Sequence, residues 1–114
     1  MRRRNPYNRT RIPMETVREL KTKLRKSFSQ LRKEGYFARQ NFLCCQSCGW
    51  AGVPENKANS AVFYHKQDND GLYSRGDAYL AWSGDGNRIV EVLRSNNVKV
   101  EWNGEQNQRI LVKV

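Results

Sequence analysis

The chain has 114 residues, a formal charge of +10, 38% hydrophobic and 28% charged residues, with three Trp, five Tyr and four Phe. That length suits one domain, and the apolar content excludes a wholly disordered chain. No apolar run approaches the roughly 20 residues of a membrane-spanning helix, the basic opening MRRRNPY is unlike a signal stretch, and three cysteines do not make a secreted disulfide framework. The expectation is a soluble protein of the reducing cytoplasm, with no membrane partner.

Residues 1–39 hold 13 Lys and Arg against 3 Asp and Glu, while residues 40–114 hold 8 of each, so the whole excess lies in the first third. Such segregation points to a polyanionic partner: DNA or RNA, or an acidic protein or ribonucleoprotein surface. Residues 1–12, MRRRNPYNRTRI, are read as a flexible arm carrying Arg2, Arg3, Arg4, Arg9 and Arg11. Tyr7 lies among these arginines with nothing local to bury it, placed to stack on a base or fill a partner's pocket.

A single α+β domain is expected over 13–114. Its first element is an amphipathic helix over 13–34 that starts at Pro13 and is stopped by Gly35 in a left-handed cap. Val17, Leu20, Leu24, Phe28 and Leu31 recur at steps of three and four and form its buried stripe. At about 100° per residue, Arg18, Lys21, Arg25 and Arg32 share one flank of that stripe. Lys23, Lys26 and Lys33 share the other flank with Glu15 and Glu19. The purely cationic flank is the one expected to follow a row of phosphates.

Further along, Tyr36–Leu43 is expected as a strand, the segment CCQSCGWAGVPENKANS as at most a short helix or knuckle, Ala61–Lys66 as a second strand and QDNDG as a turn. Asp77–Ser83 is expected as a third strand, followed by a helix with Asp85 as its N-cap and Ile89, Val92 and Leu93 inside. Val98–Trp102 and Arg109–Val114 then pair as a hairpin across a turn starting at Asn103-Gly104. The order suggests a small, mostly antiparallel sheet with the long helix and a second helix packed on one face. Trp82 and Trp102 are expected in the core, and Tyr73 and Trp50, both near glycines, as exposed contacts.

Cys45-x-x-Cys48-Gly49 has zinc-knuckle spacing, but no second such pair completes four ligands, and His65 is the chain's one histidine. Cys45, Cys48 and His65 are the candidate metal ligands, with zinc the only cofactor considered. Sharing a metal between two chains, and hence a dimer, is a further option. Plain buried thiols are the competing reading, and a cysteine nucleophile with His65 as base and Asp68 to orient it is the third. Gly84-Asp85-Gly86 lacks the residues of a phosphate loop, and no carboxylate pair suits acid–base work, so no catalytic residue is assigned.

From residue 35 onward the chain resembles an uncharacterised family of small bacterial proteins. The resemblance rests on Gly35-Tyr36-Phe37-Ala38-Arg39, Asn41-Phe42, Cys44-Cys45 with Cys48, His65-Lys66-Gln67-Asp68, Val100-Glu101-Trp102 with Gly104, and Arg109-Ile110. That family has no established activity. The resemblance implies a shared fold and a spatial cluster of Cys44, Cys45, Cys48, His65 and Asp68. Function is therefore expected in the basic part: non-enzymatic nucleic-acid binding through phosphate contacts, with little sequence preference. The alternative is a modulator or inhibitor, of the kind bacteriophages encode, of a polymerase, nuclease or ribonucleoprotein machine. A thiol- or zinc-dependent enzyme comes third.

Overall fold

The computed structural model describes residues 12–43 and 46–114, without the side chain of Gln46. The first element, α1 (Met14–Lys33), buries Val17, Leu20, Leu24, Phe28 and Leu31, the stripe its periodicity predicts, together with Ser27. It ends in a Schellman turn: Gly35 takes φ +101°, its N–H donates to Arg32 C=O at 3.0 Å, and Tyr36 N–H donates to Leu31 C=O at 2.9 Å. Only glycine enters that left-handed region without steric cost.

The chain continues through β1 (Phe37–Arg39), α2 (Gln46–Gly52), a 3₁₀ turn (Glu55–Lys57), β2 (Ala61–Phe63) and α3 (Lys66–Ser74). It is completed by β3 (Asp77–Trp82), α4 (Gly86–Ser95), β4 (Lys99–Glu101) and β5 (Ile110–Lys113). The five strands form one sheet in the order β1-β2-β3-β5-β4, antiparallel except for the β1–β2 pair. The protein is thus an α+β fold with a mostly antiparallel sheet.

Strand alternation sends Ala38, Val62, Ala78, Leu80, Trp82, Ile110 and Val112 to one face, where they meet the stripe of α1 and Ile89, Val92 and Leu93 of α4. Asp85 caps α4 as expected, accepting from Arg88 N–H at 3.2 Å. Trp82 is buried and meets the partly buried Trp102 edge to face at 5.5 Å. Two ties fix α4 on α1. Asn96 Nδ2 donates to Ser27 Oγ at 3.1 Å, and Arg88 binds both oxygens of Glu34 at 2.8 and 2.5 Å. That pairing holds the Glu34 carboxyl below its ordinary range.

Four expectations need correction. The strand expected over Tyr36–Leu43 stops at Arg39, because Asn41 and Leu43 take φ of +49° and +60° and break the extended run. The strand expected over Ala61–Lys66 stops at Phe63. The turn expected at QDNDG is part of helix α3, and its stability is tertiary: Asp68 Oδ1 accepts the Tyr79 N–H of β3 at 3.2 Å, and Leu72 is fully buried. Ile12, assigned to the arm, is partly buried against the core, and its N–H donates to Tyr73 C=O at 3.4 Å. The opposite sheet face is also covered at one end. Phe37, Phe42, Phe63 and Trp50 of α2 form a chain of edge-to-face contacts at 5.0–5.7 Å there.

Candidate functional site

The exposed side of α1 is built by its own period. Arg25, Lys26, Arg32 and Lys33 stand at −4, −3, +3 and +4 from Ser29, the spacings that bring helical side chains together. All four are exposed. With Ser29, Gln30 and Asn96 they line an open depression of about 660 Å³ that no carboxylate borders. The nearest acid in sequence, Glu34, is engaged by Arg88. Arg32 is held in place: its Nη1 donates to Ala38 C=O at 2.8 Å.

The expected flank of Arg18, Lys21, Arg25 and Arg32 is present, with Arg18, Arg25 and Arg32 exposed. Lys21 lies over the Tyr73 ring at 5.4 Å and donates to its hydroxyl at 3.5 Å, which brings a partly exposed aromatic from α3 onto the cationic flank. The other flank is mixed only in the N-terminal half, where Glu15 and Glu19 sit. Sequence reasoning assigned Lys26 and Lys33 to the mixed flank and passed over Ser29. Testing each position against its neighbours at ±3 and ±4 would have found them. Arg2, Arg3, Arg4, Tyr7, Arg9 and Arg11 lie outside the described residues.

Of the candidate ligands, Cys45 lies outside the described residues, as does Cys44. Cys48 is exposed on α2. The next residue, Gly49, is explained by packing, since a Cβ there would stand 2.4 Å from the Phe63 ring. His65 is buried at the head of α3, with Nε2 2.9 Å from Asp68 Oδ2. The structure therefore brings His65 and Asp68 together, although Asp68 Oδ2 is itself buried without a well-directed hydrogen bond among the described residues. His65 Nδ1 is buried without a hydrogen-bond partner among the described residues. One backbone step away, Lys66 N–H donates to Leu43 C=O at 2.9 Å. Among the described residues no three His, Cys, Asp or Glu side chains gather as a metal site.

Trp50 borders a smaller hollow of about 190 Å³ with Ala81, Trp82 and residues 106–109. Indole N–H groups pin the adjoining loop, Trp82 to Gln108 C=O at 2.8 Å and Trp102 to Glu105 C=O at 3.0 Å. No helix among the described residues is long and apolar enough to cross a membrane.

Fold and surface together define a small α+β domain in which, among the described residues, the unbalanced positive charge lies on one helix. The chain belongs to the family described as a domain of unknown function, DUF6891, which matches residues 17–114. No curated protein and no solved structure matches it.

Proposed function

We propose that this protein binds nucleic acid without catalysis, gripping the phosphate backbone with the exposed face of α1 and with the arginine-rich residues 1–11. The observation that carries this reading is the face around Ser29, where four exposed cations surround one hydroxyl and no carboxylate offsets them. Like charges so close repel one another, so the arrangement works against the folded state and favours an anionic ligand. A phosphate row satisfies it directly, since Arg and Lys donate several charge-assisted hydrogen bonds to phosphate oxygens. The remainder of the chain, from residue 40, has no net charge, so attraction to the polymer is delivered through the basic segment.

The test is a salt titration of binding to a short nucleic acid. Binding should weaken steeply as salt rises, with a log–log slope near −0.9 per phosphate engaged on duplex DNA. Replacing Arg18, Lys21, Arg25 and Arg32 together with Ala should flatten that slope by about 3 to 4. Affinity indifferent to salt, or to that replacement, overturns the proposal.

A further inference from the structure

The face around Ser29 also has a shape, and shape separates one polyanion from another. Arg25 and Arg32 lie on one side of the exposed surface and Lys26 and Lys33 on the other, about 100° apart around the helix axis, with Ser29 between them. Thr22, which is exposed, continues the mid-line about two turns earlier, so short polar side chains stand between the cations, Ser29 itself half-buried. Long cations thus form two rails on either side of a low crest. Each rail spans seven residues, about 10 Å along the axis.

A helix that lies along a single phosphate row needs one rail. Two rails around a low crest fit a helix that enters a groove and meets phosphates on both walls. A helix with its side chains is about 10–12 Å across, and the major groove of B-form DNA is about 12 Å wide. The deep, narrow major groove of A-form RNA does not admit a helix. Single strands have no second wall. The carboxylates of Glu15 and Glu19 sit on the lysine side of the N-terminal half, where they would face phosphates if the whole helix lay in the groove. The C-terminal two turns must therefore lead.

We infer that the partner is double-stranded DNA and that the C-terminal half of α1 enters its major groove, Arg25 and Arg32 on one phosphate wall and Lys26 and Lys33 on the other. This rests on the phosphate-binding reading above and adds the kind of nucleic acid. Between the two rails stands only the Ser29 hydroxyl, and a hydroxyl pairs with either donors or acceptors, so little sequence preference accompanies the groove preference.

The experiment uses the full chain, with far-UV circular dichroism confirming that each variant is folded. Anisotropy titrations at one salt concentration compare four probes: a DNA duplex, the RNA duplex of the same sequence, the single DNA strand, and a DNA duplex whose major groove is filled by bulky 5-substituted cytosines. Plain duplex DNA should bind at least about tenfold tighter than the RNA duplex, and filling the groove should remove most of that advantage. The Arg25→Ala/Arg32→Ala and Lys26→Ala/Lys33→Ala pairs should each flatten the salt slope by about 2. Equal affinity for both duplexes, indifference to the filled groove, or a full slope in the lysine-pair variant overturns groove entry and leaves phosphate binding standing. Failure to bind any of the four probes overturns both.

Discussion

Single side chains decide where this core is strong. Tyr64 is fully buried, its ring 6.3 Å from Phe28, and its hydroxyl accepts from Gln40 Nε2 at 3.2 Å. Burial disfavours the phenolate and pushes the Tyr64 hydroxyl up to about 12, the Gln40 hydrogen bond opposing it only partly. The unfolded chain then loses this proton near pH 10 and the folded chain near pH 12. Between those limits the folded state binds more protons, so its stability falls as pH rises, by roughly 2–3 kcal/mol in all. Tyr64→Phe should abolish that share of the alkaline loss. Urea melts of both proteins at about pH 9 and pH 11.5 measure it, and parallel declines would refute the assignment. The same scale explains what the cysteine motif conceals. Its spacing suggests a knuckle, but Gly49 is accounted for by the ring of Phe63 beneath it, and no reading of residues 44–49 alone reveals a neighbour 14 positions away.

Between elements, the junction of β2, α3 and β3 is the feature that pattern reading missed. The hydrogen-bonded β2–β3 pairing covers only Val62 with Trp82 and Phe63 with Ala81, and beyond it the chain turns into α3. The edge of β3 would be left without an acceptor at Tyr79, and the carboxylate of Asp68 supplies one. His65 closes the other side of that carboxylate. Asp68→Ala should therefore cost about 2–4 kcal/mol, since it strands a backbone donor and removes the histidine's partner. Asp68→Asn, which keeps an acceptor for Tyr79, should cost less. Denaturant melts compare them, and equal losses would show that the amide contact is immaterial. α1 was legible because five apolar residues announce its period. α3 was not, because in Lys66–Ser74 only Asp68, Gly71 and Leu72 are buried and the rest is turn-forming polar sequence. The parallel β1–β2 pair was equally hidden, since it depends on register across more than twenty residues. The rails beside Ser29 were present in the sequence. Assessing the lysine flank over its full length merged Glu15 and Glu19 of the N-terminal half with Lys26 and Lys33 of the C-terminal half and hid them.

For the whole molecule, the proposed function and stability would pull against each other. The +10 charge sits almost entirely on one third of the chain, and Lys21 and Arg25 are like charges one turn apart. Salt screens such repulsion. Raising sodium chloride from about 50 to about 500 mM should increase the thermal midpoint by about 2 °C, the effect of roughly 0.5 kcal/mol of relieved repulsion. The same change should weaken nucleic-acid binding. Calorimetry set beside the binding titration checks the opposition, and a midpoint that falls with added salt would contradict it.

The two outermost strands bear on what would follow if, as the proposed function implies, many copies gathered on one polymer. β1 and β4 are three residues each, and both present charge: Arg39 over the Phe37 ring at one border, Lys99 and Glu101 at the other. Short, charged borders offer a poor template for an added strand. Under the proposed function, copies crowded side by side on a long polyanion would reach local concentrations at which an unguarded sheet begins to polymerise, and these two borders would allow such coating without growth into fibrils.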